Sequence, residues 1–167
     1  LEDREVNTAV IAYGKDFPDA LSIAPFAAQR GYPILLTETD KLSKATVDYL
    51  NKNKNITDII IVGGEAVIGK NVEKELAKKY KVTRIAGQHR YETAAKIMEK
   101  YYGSAEKVYI SNGNSFADAL SGSVLAAMEE APLLLVKEDS VPYNTKKATE
   151  KIKNFVFLGG ENVISNK

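Results

Sequence analysis

The sequence predicts an α/β fold made of tandem units, each a parallel sheet flanked by helices. Three observations carry that expectation. Short apolar runs alternate with segments of helical spacing along the whole chain. The chain repeats itself, residues 14–22 recurring at 113–121, an offset of 99. The composition, 44% hydrophobic and 27% charged over 167 residues, is that of a globular chain with enough apolar material for one sizeable core or two small packed units.

Val6 to Tyr13, Ile34 to Thr37, Ile59 to Val62, Val82 to Ala86, Val108 to Ser111, Leu133 to Val136 and Phe155 to Leu158 are short apolar runs bounded by Gly, Pro, Asn or charge. Such runs read as strands buried on both faces of a parallel sheet. Between them, Ala20, Ile23, Ala24, Ala27 and Ala28 mark a helix face of mostly small side chains, suited to close approach to a sheet. Val72, Leu76 and Tyr80 mark a second helix, and Tyr91, Ala94, Ala95, Met98, Tyr101 and Tyr102 a third. Alternation of strand and helix folds through right-handed crossovers into an open parallel sheet, a Rossmann-like arrangement.

The repeat sets the organisation. Gly-Lys-Asp-Phe-Pro-Asp-Ala-Leu-Ser at 14–22 returns as Gly-Asn-Ser-Phe-Ala-Asp-Ala-Leu-Ser, and the same register lays Pro33-Ile-Leu-Leu36 on Pro132-Leu-Leu-Leu135. Gly63-Gly64-Glu65 then meets Gly159-Gly160-Glu161 at an offset of 96, so the second copy is three residues shorter in between. Arg84 to Ala94 has no earlier counterpart. The chain therefore divides into a partial first repeat, 1–80, and a second repeat, 81–167, that is incomplete at its C-terminal end, and it reads as a stretch of a longer tandem array.

Composition narrows the function. Lys and Arg number 23 against 22 Asp and Glu, which disfavours nucleic acid as a partner. The chain has no cysteine, hence no disulfide or thiolate metal site. No apolar run approaches the roughly 20 residues that span a bilayer, and the opening residues lack a signal peptide's apolar stretch, so an export signal is expected to be cleaved or to lie outside this sequence.

The polar motifs have structural and chemical readings. Asp16 with Asp19, and Ser115 with Asp118, pair a capping residue with an acid three positions on, at the start of a helix. This approximates a capping box, although carboxylates after a strand end also serve catalysis in α/β enzymes. The Gly63-Gly64 and Gly159-Gly160 pairs match neither phosphate-loop pattern and suit tight turns. Glu65 and Glu161 lack the further carboxylates a metal site needs. His89, the single histidine, falls where the Tyr91 helix should begin and reads as a cap or turn residue. No cofactor and no metal are expected. Arg84 and Arg90 flank that turn, and their guanidinium forks suit either an anionic ligand or an ion pair with Glu92 or a neighbouring unit.

Arg84-Ile-Ala-Gly-x-x-Arg90-Tyr-Glu-Thr-Ala94, Asn112-Gly-x-x-Phe-Ala-Asp-Ala-Leu120, Pro132-Leu-Leu-Leu135 and Gly159-Gly160, in this order, resemble the type 2 cell-wall-binding repeat of clostridial and other Gram-positive surface proteins. The resemblance implies Rossmann- or toprim-like units, usually three in tandem, on secreted, S-layer-associated proteins and autolysins. It implies a non-catalytic module that binds an anionic cell wall polysaccharide, with neighbouring repeats as further partners and Arg84 and Arg90 as candidate polymer contacts. His89 departs from the Asp or Asn cap common in that family and implies a weaker helix start. An α/β enzyme handling sugars or nucleotides, and a spacer that binds no polymer, are the competing readings. A repeat argues against the enzyme, because a catalytic site gathers unlike groups at one point.

Overall fold

A computed structural model describes residues 6–165. Its elements alternate in chain order: β1 (Thr8–Tyr13), α1 (Pro18–Arg30), β2 (Ile34–Thr37), α2 (Lys44–Lys52), β3 (Asp58–Val62), α3 (Lys70–Ala77), β4 (Lys81–Ile85), α4 (Arg90–Tyr101), β5 (Lys107–Asn112), α5 (Phe116–Met128), β6 (Leu133–Val136), α6 (Tyr143–Ala148) and β7 (Asn154–Leu158). All seven strands read from the sequence are present within two residues of their expected ends. The short helices α2 and α6 are additions: α2 carries only Thr46 and Leu50 as buried residues, too few to write a period, and α6 only Thr145.

The strands form two parallel sheets, ordered β2-β1-β3-β4 and β6-β5-β7. The matching strands β1 and β5 are each central in their sheet, and the register repeats: Val10 pairs with Ile34, and Tyr109 with Leu133. Ala9, Val10, Ile11 and Ala12 are fully buried, as a central strand covered on both faces requires. One face of the first sheet packs Ala9, Ile11, Ile59 and Ile61 against Leu50 of α2 and Val72 and Leu76 of α3.

The other face opens into a core that both repeats share. Val10, Ile60 and Val62 meet Ile23, Phe26 and Ala27 of α1, Ala94, Ile97 and Met98 of α4, and Val108, Ile110 and Leu134 of the second sheet. Helix α4 thus lies between the sheets, and α1 packs on α4, α5 and β6. The seam is a hydrophobic core, not a linker.

β4, which the division at residue 80 assigns to the second repeat, pairs with β3, Ile61 opposite Arg84 and Val62 opposite Ile85. The second repeat opens, in sequence, with a strand that completes the first repeat's sheet. The reason is distance along the chain: β4 follows α3 after only a short turn, so the adjacent open edge of β3 is the one it reaches first.

Candidate functional site

The C-terminal ends of the strands, where open α/β sheets present ligand groups, gather the polar residues that the sequence singles out. After β1 come Asp16 and Asp19; after β3, Gly63; Arg84 is in β4; Arg90 opens α4; and Gly113, Asn114 and Ser115 follow β5.

Arg84 lies within the first unit. Its Nε donates to Glu73 Oε2 of α3 at 3.0 Å, its Nη2 lies 2.9 Å from the same oxygen, and its Nη1 donates to the Gly63 carbonyl at 2.8 Å. Only 13% of the side chain is exposed. The partner is Glu73, not Glu92. Glu92 instead pairs with Lys96 one turn on and accepts from the Gln88 amide, and these bonds hold its carboxyl below the usual range.

Arg90 joins the two units. Its Nη2 donates to Asp16 Oδ2 at 3.0 Å, in the loop after β1, and its Nη1 donates to the Gly113 carbonyl at 2.7 Å, after β5. At 29% exposed it remains partly open to solvent, as does Asp16. His89 is the N-cap of α4 in extended conformation, and its ring accepts from the Glu92 amide at 3.2 Å. Glu92 reaches back to the Gln88 amide, one residue before the cap, so two backbone donors at this helix start are satisfied by side chains, although the second is not the N-cap amide that a capping box uses.

The helix-start pairs behave differently from a capping box. In α1 the N-cap is Phe17, already helical at φ −100° and ψ −23°, and Pro18 follows it without an amide proton. No side chain caps this helix; Asp16 Oδ1 accepts from the Phe17 amide, ahead of the first turn. Ser115 is the N-cap of α5, but its hydroxyl donates to Asp118 Oδ2 at 2.6 Å, because a carboxylate is a stronger acceptor than the hydroxyl is for a backbone amide.

Asp19 is mostly buried. Gly63, at φ +119°, leaves room for it: a Cβ there would sit 2.9 Å from Asp19 Oδ2. Burial raises its pKa to about 6; Arg90 and the Thr93 hydroxyl pull it down, and Asp16 pushes it up. Its Oδ1 is buried without a hydrogen-bond partner.

The glycine pairs turn the chain after β3 and β7 without starting a helix at once: Val67 and Ile68 donate back to the Gly64 carbonyl, and α3 begins at residue 70. Glu65 is an exposed partner of Lys70. Among the described residues no group of three potential metal ligands occurs. Glu73, Thr93 and Asn114 are site residues the sequence reading missed. Glu73 meets Arg84 across a helix-to-strand turn, and no spacing rule marks that contact.

Two parallel-sheet units fused through a shared core, with strand-end polar groups bonded across the seam, define a tandem α/β repeat module. The family model described as cell wall binding domain 2 (CWB2) matches residues 3–73 and 84–167, and the chain belongs to that family. It is 41% identical over 160 residues to the amidase enhancer of Bacillus subtilis (strain 168), covering 94% of this chain and 21% of that protein. It is 35% identical to N-acetylmuramoyl-L-alanine amidase LytC of the same organism, covering 95% of this chain and 32% of the relative. Among solved structures, Cwp6 from Clostridium difficile superposes with a TM-score of 0.87 at 29% identity, over 96% of this chain and 26% of that one. Cwp8 from the same organism gives 0.82 at 30% identity, over 98% and 29%. The chain thus spans a third or less of these proteins, and its family is one of cell wall binding.

Proposed function

We propose that the chain is a non-catalytic module of a secreted protein that holds an attached activity on the cell wall, non-covalently, by binding an anionic surface polysaccharide. The observation that carries this reading is the family match in two tandem stretches through nearly the whole chain. The strand ends support it, since the groups a catalytic centre would gather there are bonded to one another as Arg84 with Glu73, Arg90 with Asp16 and Ser115 with Asp118. The relatives support the modular part, because the stretch they share with this chain is a minor part of their length.

A net charge of +1 draws no polyanion as a whole, so attraction must be local. Of the two arginines, Arg90 is the better placed: it is more exposed and stands at the mouth of the junction, where an incoming anion would compete with the half-exposed Asp16. Arg84, buried against Glu73, serves the fold.

The test is co-sedimentation of the purified chain with walls carrying their anionic polysaccharide and with walls stripped of it, over a range of salt. Binding is expected to need the polymer and to weaken with salt, and less steeply in Arg90→Ala once circular dichroism shows that variant folded. Equal binding to stripped walls would overturn the polymer reading. Soluble fragments released from walls by the chain alone would overturn the non-catalytic one.

A further inference from the structure

Asp19 and Asp118 occupy the same place in the two repeats, but the residue three positions earlier differs in kind. Ser115 is a donor and gives its hydroxyl to Asp118 Oδ2 at 2.6 Å. Asp16, in the matching place, has no proton to give when ionised, and Asp19 Oδ1 is left buried without a partner. On the other side of the carboxyl, Gly63 has no Cβ to keep Oδ2 away from the turn after β3. A buried carboxyl oxygen without a donor is costly as an anion and far less so as an acid, so these surroundings favour a bound proton.

Several elements face this carboxyl. Helix α4 supplies Arg90 and the Thr93 hydroxyl, and the loop after β1 supplies Asp16. Arg84 of β4 is bonded to Glu73 and to the Gly63 carbonyl. Burial outweighs the pull of Arg90, and the Asp19 pKa rises to about 6. Arg90, partly open to solvent, therefore stands before two carboxylates at neutral pH: Asp16, bonded to it at 3.0 Å, and the more buried Asp19. With Asp19 ionised these three side chains carry one net negative charge; with Asp19 protonated they carry none.

We propose that Asp19 is a proton switch on the anion site at Arg90, so that the module holds anionic polymer more tightly as its surroundings acidify. A proton on Asp19 removes one of the two carboxylates that compete with the polymer for the guanidinium. Asp19 does not touch the polymer and acts through Arg90, so the switch rests on Arg90 being the polymer contact proposed above. Linkage is reciprocal: a polymer that prefers the protonated form also tightens the hold of Asp19 on its proton.

Co-sedimentation with walls carrying their anionic polysaccharide, at constant ionic strength from about pH 7.5 to about pH 5, tests this, with stripped walls beside them. Wild-type affinity is expected to rise about three- to tenfold across that range, the scale of removing one like charge near a partly exposed site. Asp19→Asn should bind at about pH 7.5 as tightly as wild type does at about pH 5, and change little in between. Misfolding does not produce such a gain. Arg90→Ala should bind weakly throughout and without the pH dependence. His89→Asn keeps an acceptor at the start of α4 while removing the neighbouring imidazole, and should retain the wild-type slope. Titration of the polymer itself cancels when the variants are compared on the same walls. A flat wild-type profile on walls whose polymer is needed for binding would overturn the switch alone. So would an Asp19→Asn variant that keeps the wild-type slope, or a His89→Asn variant that loses it. Equal binding to stripped walls would remove the polymer contact itself and the switch with it.

Discussion

The same sequence position lives in two environments in this molecule. In the first unit, Ile59 and Ile61 of β3 lie under α2 and α3, and β4 covers the strand's edge. In the second, their counterparts on β7 are Phe155 and Phe157, both exposed, and among the described residues β7 pairs with β5 alone. At the other edge the inequality reverses: β6 is buried throughout against α1 and α4, while β2, its counterpart, is half open. A repeat of this kind does not own its core. Each unit is finished on one side by the unit beside it, as expected when neighbouring repeats supply one another's contacts.

The largest effect that would sharpen this comparison is a pair of truncations at one repeat position. Ile61→Ala removes a fully buried side chain and is expected to destabilise the chain by about 2–5 kcal/mol. Phe157→Ala, at a position 59% exposed, should change stability by less than about 1 kcal/mol despite the larger side chain. Chemical denaturation measures both, and equal losses would break the asymmetry argued here.

The next effect is a charge at the seam. Asp19 ionises near 3.8 in an unfolded chain and near 6 in the folded one, so folding opposes its ionisation. The stability linked to the protonated form is present below about pH 4 and is lost as pH rises toward about 6. Asp19→Asn should therefore stabilise the protein at pH 7 by up to about 3 kcal/mol, with the gain fading on acidification to about pH 4. Thermal melts of both proteins across that range decide it. A gain that does not depend on pH would mean that the folded surroundings do not disfavour the ionised carboxylate.

Smaller effects separate the two arginines. Arg84→Ala leaves Glu73 and the Gly63 carbonyl without their donor inside one unit and should cost about 1–3 kcal/mol. Arg90→Ala severs a half-exposed bridge between units, worth about 1 kcal/mol or less. Its larger consequence is expected in wall binding. If denaturation ranks the pair the other way, Arg90 is the structural residue and Arg84 regains its claim as a polymer contact.

The sequence by itself determined a good deal. Seven apolar runs became seven parallel strands, because a strand buried on both faces must be apolar throughout, and that is a local, countable signal. The Tyr91 helix began at His89 as its position required, and the ring nitrogen replaced the usual Asn or Asp oxygen as acceptor. The duplication was read directly, since identical residues at a constant offset need no structure to be seen. The tertiary structure decided what no offset contains: which member of each repeated pair is buried. Asp19 and Asp118 sit in matching motifs, yet one lies under Gly63 with Arg90 close by and the other takes a hydroxyl from its own helix start. Leu36 and Leu135 sit in matching strands, yet only the second is covered. Burial and charge depend on the partner across the seam, and that partner is set by chain connectivity and packing, which place β4 on the sheet before it and α4 between the sheets.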